Sequence, residues 1–103
     1  MKHMKNHLRI GKSIIGNFFD YTKENHLDDE TEFFPAIKVV ISGVVEAYQN
    51  NKDKKEKIKN ELEEYTKEQY INMWIGGVKK SEDSPDIELE KKEAKSVFEK
   101  RYN

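Results

Sequence analysis

From Leu8 onward the apolar side chains return at the pitch of an α-helix. In the first segment, residues 5–25, Leu8, Ile15, Phe18 and Phe19 fall near a 3.6-residue period. Ile14 and Tyr21 flank that stripe, and the pattern predicts an amphipathic helix. Gly11 and Gly16 weaken it by about 1 kcal/mol each relative to Ala. Such glycines also suit places where a second helix packs closely.

Residues 24–34 carry Glu24, Asp28, Asp29, Glu30 and Glu32 and no Lys or Arg. Asn25 and Asp28 are good turn or cap residues, so this stretch is expected to be a connection. Pro35 would then sit in the first turn of the next helix, where its missing N–H costs nothing. Over residues 35–50, Ile37, Val40, Ile41, Val44, Val45 and Tyr48 fall at i, i+3, i+4, i+7, i+8 and i+11. That spacing predicts a helix with a wide buried face. The β-branched run Val39-Val40-Ile41 could alternatively be a strand. Helix is preferred because the pattern persists without a turn signal.

Asn50-Asn51 marks a turn. Residues 52–70 favour helix, with Ile58, Leu62, Tyr65 and Tyr70 on one face. Six Lys there are balanced by six acids, which reads as a solvated face laced with i,i+4 pairs. The helix is expected to continue through Ile71 and Trp74 until Gly76-Gly77 stops it. A polar loop follows over 79–84. Ser84-Pro85 then gives a helix start, with Ser as N-cap and Pro at the first helical position. The last helix, about 85–101, offers Ile87, Ala94, Val97, Phe98 and Tyr102 to the core. The expected fold is all-α, a small four-helix or irregular helical bundle. It would form one domain over residues 1–103, with 1–6 frayed and connections at about 25–34, 50–51 and 76–84.

Composition narrows this picture. The chain has 103 residues, of which 38% are charged. Leu, Ile, Val and Phe together number 24, or about 23%, a little above the ~20% below which a charged chain stays unfolded. A net charge of −1 keeps self-repulsion small. Fifteen of those core formers lie between Leu8 and Val45 and nine between Ile58 and Phe98. The first half is therefore expected to hold the hydrophobic nucleus. The core is thin, and a thin core invites help from a partner, a second copy included.

Cysteine is absent, so disulfides and thiolate metal sites are excluded and a cytoplasmic setting is expected. No apolar run approaches the roughly 18 residues that a membrane span needs. The N-terminus is basic but no apolar stretch follows it, which argues against a secretory signal. The Lys/Asn/Ile/Glu bias resembles that of proteins from AT-rich bacteria, phages and plasmids. His3-Met4 is also what a common cloning junction encodes, which would make Met4 the native start.

Few constellations carry chemistry. Gly11-Lys12-Ser13 looks like the tail of a phosphate-binding loop. The loop needs a glycine five residues earlier, where Asn6 stands, and a strand before it, where the pattern is helical. His3 and His7 share a helix face, but a metal needs further ligands, which His26, Asp28 and Asp29 would have to supply. The acidic clusters Asp28-Asp29-Glu30 and Glu82-Asp83 lack the ligand order of a calcium loop. They read as solvated loops and helix N-terminal acids. Neither a cofactor nor a small-molecule substrate is implied. Trp74-Ile75-Gly76 is similar to the Trp-x-Gly that names a family of small secreted helical-hairpin proteins. There the tripeptide sits at the mid-chain bend between two long helices. Here it lies late in the chain, so it reads as a Trp anchoring a helix end before a Gly-Gly stop.

Two features point to macromolecular partners. Lys2, Lys5, Arg9, Lys12 and Lys23 face only Asp20 across residues 1–23, a local excess of positive charge. Phosphate backbones are bound by such clusters, with Lys5, Arg9 and Lys12 as the candidate contacts. The pI of about 6.3 lacks the usual basic footprint. The aromatics are the second feature. Phe18-Phe19 and Phe33-Phe34 are adjacent pairs, and neighbours on a helix point about 100° apart. One member of each pair is expected outside the core, where aromatics concentrate binding energy. Phe19, Phe33, Phe34, Tyr70, Met73 and Trp74 are therefore the candidate partner-binding residues. The chain is expected to act by binding rather than catalysis, as a small regulator, inhibitor or immunity-type protein, with a homodimer among the possibilities. The second expectation is a nucleic-acid-binding accessory protein using the basic first helix.

Overall fold

The computed structural model describes residues 2–24, 30–47 and 52–103, and the side chains of residues 8–23, 33–47 and 54–103. The fold is all-α, as the periodicity predicts. Four helices follow in order: α1 (Lys2–Glu24), α2 (Glu30–Glu46), α3 (Lys52–Ser81) and α4 (Ile87–Tyr102). No strand occurs among the described residues, and Val39-Val40-Ile41 lies inside α2. The chain forms two compact units, Met1–Tyr65 and Thr66–Asn103, and α3 contributes its first half to one and its second half to the other. Tyr48 and the Asn50-Asn51 turn lie outside the described residues, as does the Asn25 and Asp28 connection.

In the first unit, α1 buries Gly11, Ile15, Phe19 and Thr22, spaced at i, i+4, i+8 and i+11. Thr22 meets the cost of burying a hydroxyl locally, by donating a hydrogen bond from Oγ1 to the Phe19 carbonyl at 2.7 Å. α2 buries Phe33, Phe34, Ile37 and Ile41, and the first half of α3 buries Ile58 and Leu62. The three segments converge on Gly11. A Cβ placed there would lie 3.0 Å from Val44 Cγ1 and 3.2 Å from Leu62 Cδ2, so the missing side chain is what lets α1 approach both neighbours. At the other end of the α1–α2 pair, the Phe33 ring packs 5.3 Å from Phe19 and 5.8 Å from Phe18. Gly11 against Val44 and Phe19 against Phe33 make α1 and α2 antiparallel.

In the second unit, α4 buries Ala94, Phe98 and Tyr102 at i, i+4 and i+8. Phe98 packs 5.6 Å from Tyr70 of α3 and stacks 5.1 Å from Tyr102. Polar clasps flank these rings. Trp74 donates from Nε1 to Glu90 Oε2 at 2.7 Å, and Lys67 reaches Glu99 at 3.5 Å. The contacts 67–99, 70–98 and 74–90 describe an antiparallel pair.

The structure corrects several expected boundaries. α1 begins at Lys2, ahead of residue 5. α2 begins at Glu30, so Pro35 lies inside the helix rather than in its first turn. An interior proline costs about 3 kcal/mol. Burying Phe33 and Phe34 in the added turn returns roughly 1.5–3 kcal/mol each, which offsets it. Gly76-Gly77 does not end α3, which runs on to Ser81. Neither glycine adopts a left-handed backbone. The turn beyond them is closed by Ser81 Oγ on the Gly77 carbonyl at 2.9 Å and by Glu82 N on the Val78 carbonyl at 2.9 Å. Two glycine penalties of about 1 kcal/mol are outweighed when Ile75 is buried just before them. The N-cap of α4 is Asp86 rather than Ser84. Its carboxylate accepts from Leu89 N at 3.3 Å and adds a full charge at the positive end of the helix.

The two glycines facing α1 and α2 should respond in opposite directions. Gly11→Val forces methyl groups onto Val44 and Leu62 and should lower unfolding stability by about 1–3 kcal/mol. Gly43 has nothing within 4 Å of a built Cβ, so Gly43→Ala should raise stability by up to ~1 kcal/mol through helix propensity. Urea denaturation of both variants checks the pair.

Candidate protein-docking surface

A trough runs between the outer edges of α1 and α2. Ile10 and Ile14, one turn apart on α1, form one wall. Val39, Val40, Gly43 and Val44 of α2, with Ala47 just past its end, form the other wall and the floor. Its volume is about 390 Å³. The lining carries no charge, hydroxyl or amide side chain, so nothing in it would orient a polar small molecule by hydrogen bonding. The apolar side chains are well exposed: Ile10 at 55%, Ile14 at 42% and Val39 at 72%. A contiguous exposed aliphatic patch is the usual mark of a surface that meets another apolar surface.

Two sequence causes build the trough. Gly11 and Gly43 stand where side chains would otherwise intervene. Gly11 allows the close approach, and Gly43 leaves the floor open. Val39 points roughly 160° around α2 from the buried Ile37, on what would ordinarily be a polar face. The charges stand outside the lining. Arg9 and Asp20 are exposed on α1, while on α2 Glu46 stands 4.0 Å from Lys55.

The aromatic residues expected to bind a partner are mostly core. Phe19, Phe33 and Phe34 are 5%, 2% and 3% exposed, and Tyr70 is buried as well. Both members of the Phe33-Phe34 pair go inside, against the expectation that one would stay out. Phe33 meets Phe18 and Phe19 on one side and the edge of Phe34 at 5.2 Å on the other. In a unit built from three helical segments, α2 has neighbours on two sides, so a 100° spread is no obstacle. Met73 and Trp74 are half-buried. Trp74 is held by Glu90 and packs 6.2 Å from Tyr70.

Arg9 is exposed, whereas Lys12 is half-buried with Nζ 5.3 Å over the Tyr65 ring. That cation–π contact contributes about 0.5–1 kcal/mol to the first unit. The side chain of Lys5 lies outside the described residues. So do those of His3, His7, His26, Asp28 and Asp29. Among the described residues no three His, Asp or Glu side chains gather to hold a metal. Glu82 and Asp83 are exposed between α3 and α4. Gly11-Lys12-Ser13 sits in the middle of α1, and Trp74-Ile75-Gly76 lies within α3 rather than at a bend. No helix is long and apolar enough among the described residues to cross a membrane.

The aliphatic stripe was visible in the sequence as Ile14 beside the main stripe and Val39 off the buried face. Neither stands out when aromatics are weighted most heavily.

Core and clasp should separate on mutation. Phe33→Ala should cost about 3–5 kcal/mol and strip the chain of cooperative unfolding. Trp74→Phe, which keeps an aromatic six-membered ring but loses the pyrrole half of the indole and its bond to Glu90, should cost about 1–2 kcal/mol. Denaturation followed by circular dichroism measures both, and equal small losses would contradict the burial of Phe33. Comparison with family models, curated proteins and solved structures finds no match to this chain.

Proposed function

We propose that this chain is a helical interaction module that works by laying its α1–α2 trough against an apolar face of another protein chain. The observation that carries this reading is the uncharged lining with Val39 72% exposed at its edge. The role that fits such a module is that of a small regulator, inhibitor or immunity-type protein in a cytoplasmic setting, acting by occupying a surface rather than by catalysis.

Magnitudes define the kind of contact. Completing the burial of Ile10, Ile14 and Val39 is worth on the order of 3–4 kcal/mol. Association itself costs about 4–15 kcal/mol. The trough alone therefore supports a weak, concentration-dependent contact. A firm complex needs apolar area and charge contributed by the partner. Nucleic-acid binding ranks second, because Lys12 is engaged with Tyr65 and the described part of the basic stretch presents Arg9 and Lys23.

Val39→Glu should leave unfolding stability within about 0.5 kcal/mol, since the side chain is exposed. The same change should abolish binding of a purified protein partner first captured by the wild-type chain. Partner binding that survives both Val39→Glu and Gly43→Trp would remove the trough from the reading. Retention on a mixed DNA and RNA pool with a steep salt dependence would favour nucleic-acid binding instead.

A further inference from the structure

We infer that residues 37–46 are a conformational switch, held as helix by burial in the first unit and poised to pair as a β-strand with the same segment of a second copy. Two demands conflict in this segment: what its residues favour locally and what their neighbours impose.

Six of the nine residues from Ile37 to Val45 are Ile or Val. Branching at Cβ restricts such side chains in a helix and suits them to a pleated strand. Gly43 weakens a helix further, and Pro35 lies inside α2 at the loss of a backbone hydrogen bond. Burial of Phe33, Phe34, Ile37 and Ile41 offsets these costs. Where that burial is lost the helix loses its support, while the strand preference remains.

The alternation that a strand needs is present as well. As a strand, Ile37, Val39, Ile41, Gly43 and Val45 line one face, with no charge among them. Lys38, Val40, Ser42, Val44 and Glu46 line the other. The segment holds no proline and one charge of each sign, as segments that zip together between copies do. Pro35 stands just before it and would end the pairing there.

The order of charges selects the partner and its direction. An antiparallel pair centred on Ser42 sets Lys38 of each copy opposite Glu46 of the other, twice by symmetry. The same register sets Val40 opposite Val44 and Val39 opposite Val45, and it lays Ile41 over the gap at Gly43. A parallel in-register pair would set Lys38 on Lys38 and Glu46 on Glu46, and like charges directly opposite are unfavourable. Val39 is 72% exposed in the helical fold, so the strand pair uses a side chain that the helical core does not need.

The test warms the full chain through partial unfolding at several concentrations and follows amide I infrared absorption. The wild-type chain should exchange helix for antiparallel sheet, faster at higher concentration. Val39→Lys should keep the helical fold and slow the exchange about tenfold or more, because it sets a charge in the apolar face. Lys38→Glu and Glu46→Lys alone should each slow it about threefold or more, and K38E/E46K should restore the wild-type rate. These variants are compared at their own unfolding midpoints, which removes differences in folding stability. At one temperature below the wild-type midpoint, Phe33→Ala should convert about tenfold faster or more, since it loosens α2. Unfolding that stays reversible without sheet at every concentration overturns the switch. Sheet formation indifferent to Val39→Lys overturns its assignment to this segment. A Phe33→Ala chain no faster than wild type overturns the role of burial in holding α2 helical. Exchange slowed by Val39→Lys but not rescued by the double reversal overturns the antiparallel register.

Discussion

The first unit depends on the hydrogen atom at residue 11. With no side chain there, Val44 and Leu62 take up the space that a Cβ would need, 3.0 and 3.2 Å from where it would stand. Helix spacing is set by the bulk at the crossing point. One glycine at the crossing brings α1 close to α2 and α3 together. Further along, the same antiparallel pair closes over Phe33, which packs against Phe18, Phe19 and Phe34. The outer trough is the other face of this packing. Where α1 and α2 come close on the inside, Ile10 and Ile14 are drawn up beside Val39 and Val40 on the outside. Core and surface are therefore two results of one steric fact.

The helices themselves were legible, because strands and loops rarely sustain a 3.6-residue period over ten or more positions. Ile15, Ile37, Ile41, Ile58, Leu62 and Phe98 could be assigned to the interior from spacing alone. Element ends were less legible. Pro35 and Gly76-Gly77 are local signals worth a few kcal/mol. Here they compete with the burial of Phe33, Phe34 and Ile75, which depends on neighbours far away in sequence. The α4 cap is Asp86 rather than Ser84, and both residues satisfy the local rule.

Of the aromatic residues expected at a surface, Phe19, Phe33, Phe34 and Tyr70 are interior. Aromatic pairs invite an interface assignment, since two adjacent rings overfill one side of a helix. A helix flanked by two others has room for both, and that arrangement is a tertiary property. The exposed aliphatics were legible only faintly. Val39 departs from the polar composition expected of its face, but a lone valine on a solvated face is common. What makes it informative is its position beside Ile10 and Ile14, which come from a different helix.

The second unit is held together differently from the first. Tyr70, Trp74 and Tyr102 each join an apolar ring to a polar handle, and Trp74 bonds to Glu90 while Lys67 reaches Glu99. The chain contains a single tryptophan, and it stands in this clasp. Its indole emission is therefore an intrinsic optical gauge of the α3–α4 hairpin. Set beside a whole-chain helical signal, that fluorescence follows the hairpin's own packing without any added label.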